Sequence, residues 1–213
     1  MHHYILIIIE IIVLLFYAPG AAADAYDDVL NAIRLNNIPV AEALFAKGLD
    51  VNTTDSSANT LLMLAVRENH LDLVKRLLDR QARVGARNSY GETALMLAAA
   101  KGNLEMVQLL VDRGAAIKQP GWTALIYAAW QGKTEVVKYL LQKGAEIDAV
   151  SPNGVSALML AARGGHLDTV KLLLWEVADP NIKSDTGATA LGWALKGGNT
   201  DVAKLLKQAG AKE

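Results

Sequence analysis

The chain has 213 residues and is 52% hydrophobic, enough apolar material to bury a core. Its 21 lysines and arginines almost cancel 22 aspartates and glutamates, with no block of like charge, so neither nucleic acid nor an anionic membrane surface is indicated as the main partner. Cysteine is absent, which excludes disulfides and thiolate metal sites. Along the chain, the first feature is a leader. Ile5 to Tyr17 is apolar apart from Glu10, Pro19-Gly20 breaks the run, and Ala21-Ala22-Ala23 offers a small-residue cleavage point before Asp24. This predicts a secretory signal peptide over residues 1–23, export from a bacterial cytoplasm, and a periplasmic mature protein. Met1-His2-His3-Tyr4 carries no Lys or Arg, and Glu10 interrupts the apolar run, so a retained N-terminal membrane anchor is the alternative. The run is short for a spanning helix, which needs roughly 20 apolar residues.

From residue 25 onward one pattern recurs, Thr/Ser-x-Leu-x-x-Ala. It begins at Thr60, Thr93, Thr123, Ser156 and Thr189, in steps of 33, 30, 33 and 33 residues. A period near 33 with two short helical patterns per unit predicts a stacked solenoid, an architecture that usually binds other proteins. The unit from Ser89 to Lys118 shows the logic. Thr93 is placed to cap a first helix through its hydroxyl, and Leu95, Leu97 and Ala98 give that helix an apolar face. Gly102-Asn103 ends it. Glu105 suits the first turn of a second helix, whose buried face is Val107, Leu109, Leu110 and Val111, and Gly114-Ala115 closes the unit.

Equivalent positions repeat this throughout. The small residue of the first helix is Ala32, Ala65, Ala98, Ala128, Ala161 and Ala194, and a small side chain there lets two helices approach closely. The second-helix leucine is Leu44, Leu77, Leu110, Leu140, Leu173 and Leu206. Pro39 stands where later units carry an acidic residue, an early helix position that tolerates proline. A first unit therefore starts near residue 25, with Asp27 in the capping role. The predicted boundaries are about 25–54, 55–87, 88–118, 119–150, 151–183 and 184–213.

The Thr-x-Leu-x-x-Ala-Ala run, the Gly-His or Gly-Asn turn, the Val-x-x-Leu-Leu second helix and the Gly-Ala-x-x-Asp/Asn close together resemble the ankyrin repeat. Gly165-His166-Leu167-Asp168 and Val136-Val137-Lys138-Tyr139-Leu140-Leu141 carry the likeness most closely, and it covers about residues 25–212. The resemblance implies an all-α solenoid: a curved stack of helix-turn-helix units with short β-hairpin-like finger loops, binding partners in the concave groove formed by fingers and first helices. Where the family has Thr-Pro-Leu-His, this chain has Ala or Leu for Pro, and Met63, Met96, Ile126, Met159 or Gly192 for His. The family's Thr–His link is thus expected to be replaced by apolar packing. His70 and His166 fall at the Gly-His turn, where the family uses His structurally.

The fourth unit is three residues short, because Ile117-Lys118-Gln119-Pro120-Gly121-Trp122-Thr123 replaces a longer finger. This predicts a notch in the finger row, with aromatic residues around it. Tyr90 and Trp122 map onto or beside fingers, and Trp130 takes an outward first-helix position held elsewhere by Arg67, Ala100, Arg163 and Lys196. Tyr, Trp and Arg are common interface anchors. The predicted partner-binding residues are therefore Arg67, Tyr90, Trp122, Trp130, Arg163 and Lys196, and the opposing reading is that the two tryptophans merely cover core at the short turn. Tyr127 and Trp193 align with Leu64, Leu97 and Leu160 and are expected in the core; Trp175 is expected to pack locally. Gln81 and Val177 stand where other units have Gly48, Gly114, Gly144 and Gly210, which predicts a remodelled loop over Val177-Ala178-Asp179-Pro180.

Catalytic machinery is not legible. No His pair at helical spacing, Gly-rich phosphate loop or H-E-x-x-H is present, and Asp27-Asp28 reads as a helix cap. The expectation is a monomeric, non-catalytic module without metal or small-molecule cofactor. It binds another protein, and it engages a membrane only if the leader is retained. Support of a partner is weighed against inhibition of an effector or envelope enzyme, a tethered scaffold, and an intracellular regulator.

Overall fold

A computed structural model describes residues 19–212, so the predicted leader lies outside the described residues up to residue 18. Twelve helices follow one another: α1 (Pro19–Arg34), α2 (Ile38–Ala46), α3 (Leu61–Arg67), α4 (Leu71–Asp79), α5 (Ala94–Lys101), α6 (Leu104–Asp112), α7 (Ala124–Trp130), α8 (Thr134–Gln142), α9 (Ala157–Arg163), α10 (Leu167–Trp175), α11 (Ala190–Lys196) and α12 (Thr200–Gln208). They pair as helix-turn-helix units, and each odd-numbered helix from α3 to α9 packs on the odd-numbered helices before and after it. Among the described residues there is no named strand, only isolated bridges at Thr54–Thr60 and Val150–Ser156 at the bases of two fingers. The all-α solenoid is the architecture observed.

The first helices start as the residues dictate. Thr60, Thr93, Thr123, Ser156 and Thr189 each accept a hydrogen bond from the backbone N–H three residues on, at 3.2–3.3 Å. Met63, Met96, Ile126 and Met159 are buried where the family has His. Met96 Sδ also accepts from the Thr93 N–H at 3.4 Å, a weak return contact. The repeated alanines Ala65, Ala98, Ala128, Ala161 and Ala194 are buried to 1% exposure or less, and Leu77, Leu110, Leu140, Leu173 and Leu206 are fully buried. These two sets are the interior of the stack.

Two expectations are overturned. Asp27 does not cap α1; the helix begins at Pro19 and runs through Asp27 and Asp28. Proline suits a helix start and Ala21-Ala22-Ala23 are strong helix formers, so the helix extends upstream of the position where later units need a cap. Val177 and Gln81 keep the ordinary left-handed cap, with φ of +66° and +64°. Val177 N donates to Leu174 O and Ala178 N to Leu173 O, just as Gly114 N donates to Val111 O and Ala115 N to Leu110 O. The two closing hydrogen bonds and the burial of Ala178 outweigh the strain, which is on the order of 1 kcal/mol for a non-glycine residue and more for a β-branched one. Val177→Gly should therefore raise stability by about 1 kcal/mol, a rise in Tm of about 2–4 °C for a domain of this size, read by thermal CD. A lower Tm would show that the Val177 side chain contributes more than its backbone costs.

The turns between units are held by residues from the following unit. His70 Nε2 lies 3.1 Å from Arg34 O and His166 Nε2 lies 2.9 Å from Trp130 O. Asn199 Nδ2 donates to Ala162 O and Arg163 O at 3.0 and 2.9 Å. Each satisfies carbonyls at the end of the preceding first helix, which otherwise have no helical partner. Both histidines are structural, as their turn position implies.

Candidate functional site

The finger row is interrupted where the short unit predicts. The second and third fingers are joined by Ser89 N donating to Ser57 O, and the fifth and sixth by Asp185 N donating to Asn153 O. At the short turn, Gln119 Nε2 donates to Trp122 O at 2.6 Å, and Arg87 Nη2 donates to Gln119 Oε1 at 3.1 Å. Gly121 has φ of +80°, which lets the turn close without a longer hairpin.

Three rings gather at this notch. Trp122 and Tyr127 meet edge to face with centroids 5.8 Å apart, Tyr127 and Trp130 likewise at 6.2 Å, and Trp122 and Trp130 lie tilted at 6.5 Å. Such geometries satisfy the ring quadrupoles. Trp122 is half-buried and Trp130 is 46% exposed at the end of α7. Tyr127 was expected in the core and is not: it is half-buried and its hydroxyl donates to Glu92 Oε1 at 3.0 Å. The reason is length, since a phenol carries its hydroxyl beyond the space a leucine fills and needs a polar partner there. Glu92 Oε2 in turn accepts from Asn88 Nδ2 at 2.9 Å, so the third finger fixes the carboxylate that fixes the tyrosine.

Burial, and then the Glu92 carboxylate accepting its proton, raise the Tyr127 phenol well above its ordinary value. The folded protein then holds this proton more tightly than the unfolded chain. That stabilisation is complete below pH of about 10 and is lost as pH rises toward the folded value. Urea unfolding across pH 9–11 should show a falling stability that flattens in Tyr127→Phe. Tyr139, also raised by burial and by Asp112, keeps a smaller dependence in the variant. An unchanged alkaline limb would show that the Glu92 contact is not formed.

The other predicted residues distribute along the same face. Arg163 and Lys196 end α9 and α11 and are exposed. Arg163 lies over the Trp193 ring, Cζ to centroid 5.4 Å. Trp193, expected in the core, is half-buried at the surface, because an indole cannot be contained where Leu160 fits. Arg67 ends α3 beside the Asp55 carboxyl. Burial alone would raise that carboxyl, but hydrogen bonds from Asn59 and Ser57, with Arg67 adding to them, hold it below the usual carboxylate range. Tyr90 is 75% exposed on the third finger and stands apart from the three-ring cluster. Trp175, expected to pack locally, is 83% exposed at the end of α10 and so lies on a second helix, outside the groove.

The structure thus brings Trp122 and Trp130 into contact. It sets Arg163 and Lys196 around one shared cavity, and leaves Arg67 and Tyr90 as separate points on the face. Glu92, Tyr127 and Trp193 belong to the site and were missed. Their signal lay in the substitution pattern, aromatic residues at a first-helix position that is leucine in three other units. The five ion pairs of the described residues join Lys75 to Asp72 and Glu105, Arg80 to Glu42, Arg113 to Asp79, and Lys171 to Asp168. All involve the second helices and their ends; the groove cations take no part.

A family model for ankyrin repeats, built of three copies, matches the chain over residues 10–88, 29–120, 62–151 and 144–213. No curated protein matches it. Repeats of this family generally serve as protein–protein interaction modules. The capped first helices, the carbonyl-binding turn residues, the left-handed closes and this match over nearly the whole length agree, and the chain belongs to the ankyrin-repeat family.

Proposed function

We propose that this is an exported six-unit ankyrin protein of the bacterial envelope. In this reading it is non-catalytic and holds and supports a single partner protein in its concave groove. The observation that carries the binding site is the Trp122–Tyr127–Trp130 cluster, with Trp130 46% exposed at a position that is charged or small in the other units. A large ring left half in water among packed helices gains more from a partner than from the chain itself. Export is supported by the apolar run from Ile5 to Tyr17 and the Ala21-Ala22-Ala23 site.

The experiment is affinity capture from an envelope extract on the full chain beside Trp122→Ala/Trp130→Ala, with thermal CD to confirm that the variant folds. Binding of the retained protein should fall tenfold or more in the variant. Equal retention on both would remove the aromatic cluster as the site. The N-terminal residue of the native protein tests export separately: Asp24 is expected, and an uncleaved chain recovered with the cytoplasm would overturn it.

A further inference from the structure

Beyond the three-ring cluster, the groove carries a second feature toward its C-terminal end. Arg163, Thr186, Trp193, Lys196 and Gly197 line an open cavity of about 440 Å³ between α9, α11 and the last finger. Two cations share it, and neither forms an ion pair with any described carboxylate. Arg163 is held by stacking over Trp193, an arrangement that leaves guanidinium N–H groups to donate in their own plane. The carbonyls ending α9, which would repel an anion, are already taken up by Asn199 Nδ2. The finger's own acid does not fill the cavity: Asp185 packs beside Gly154 of the preceding finger, where a Cβ on that glycine would stand 3.1 Å from Asp185 Oδ1. Gly197 lines the cavity without a side chain.

Resting on the groove reading above, we propose that this cavity is a carboxylate site for the side chain of an aspartate or glutamate in an extended segment of the partner, whose apolar residue sits on Trp122 and Trp130. Charge decides the sign: two adjacent unpaired cations repel each other, and a carboxylate relieves both, bidentate on Arg163 with Lys196 as a point charge. Spacing decides the register. Neighbouring first helices pack at about 8–10 Å, so the cavity between α9 and α11 lies about 12–15 Å along the stack from α7. An extended chain rises about 3.3 Å per residue, and residues four apart share a face. The segment therefore carries an apolar or aromatic residue and, four positions away, an acidic one.

The test selects random twelve-residue peptides displayed on phage against the full chain, then measures enriched sequences as fluorescein-labelled synthetic peptides by anisotropy. The expected sequences carry an apolar residue four positions from Asp or Glu. Replacing that acid by its amide, or Arg163→Gln/Lys196→Gln in the protein, weakens binding tenfold or more, and both changes together weaken it no further. Both protein positions are exposed, so Tm should not move. Peptides that lose binding to Trp122→Ala/Trp130→Ala but ignore the Arg163/Lys196 changes would overturn the carboxylate site and leave the groove reading standing. Peptides indifferent to both sets would overturn both. Binding that depends on a free C-terminal carboxylate, lost on amidation, would overturn the side-chain occupant, as would a selection that enriches no sequence.

Discussion

Leu140→Ala should lower stability by about 2–5 kcal/mol and should break the cooperativity of unfolding. Leu140 is fully buried on α8, which packs between α6 and α10. Its loss leaves a cavity facing two neighbouring units at once, and the rigid helices on either side can collapse into it only in part. In a stack, each unit is stabilised mainly by its neighbours. The fourth unit is the one the finger hydrogen bonds do not bridge, since Ser89–Ser57 and Asp185–Asn153 lie on either side of it. A weakened fourth unit therefore uncouples the two flanking blocks. All four tryptophans, Trp122, Trp130, Trp175 and Trp193, lie in or beyond that unit. In urea, the fluorescence midpoint should fall by about 1–2 M and should precede the far-UV CD midpoint, where the wild-type transitions coincide. A coincident shift of both probes would show that the stack behaves as one block despite the notch.

The fold was legible because the same local solution recurs, and each copy confirms the others. A lone Thr before an apolar run is a weak signal; Thr60, Thr93, Thr123, Ser156 and Thr189 at a constant offset from a buried alanine are not. The readings that failed are those where alignment was taken to fix environment. Asp27 aligns with the capping threonines, but Pro19 and three alanines precede it, so the helix simply continues upstream. Val177 aligns with glycines and keeps their backbone, because the closing hydrogen bonds and the buried Ala178 are shared by the whole stack and the strain is borne by one residue. Tyr127 and Trp193 align with leucines and keep the same backbone position, yet their side chains outgrow it and emerge at the groove. For the site, residue type and register placed Trp122 against Trp130 and Arg163 near Lys196. The Glu92–Tyr127 bond and the Arg163–Trp193 stack were hidden because they join residues 35 and 30 positions apart, through contacts between neighbouring units.

These contacts explain how packing and binding are coupled in the same units. The three rings rest on α7, whose last carbonyls are held by His166 from the next unit, while the third finger fixes Tyr127 through Glu92. The platform is thus positioned by its neighbours on both sides, and a partner meets it largely preorganised, with little ordering still to be done on binding.

Ala128→Leu tests that coupling and should carry the second large effect. Ala128 is fully buried at the position where every unit has alanine, and α7 packs there between α5 and α9. Leucine brings three more carbon atoms into space that is already filled, and the helices cannot yield without opening the interfaces on both sides. The expected loss is about 1–3 kcal/mol, toward the upper end because two interfaces are strained together. The same displacement moves α7 relative to the third finger and so disturbs the Tyr127–Glu92 bond and the ring geometry above it. A folded Ala128→Leu protein should therefore bind the captured partner less tightly, although it leaves every groove side chain in place, and Ala128→Gly, which creates no clash, should lose stability but retain binding. Thermal CD and the same binding assay decide the matter. If Ala128→Leu is as stable as wild type, the interior is looser than its burial implies; if it is destabilised but binds normally, the aromatic platform is not positioned by the stack beneath it.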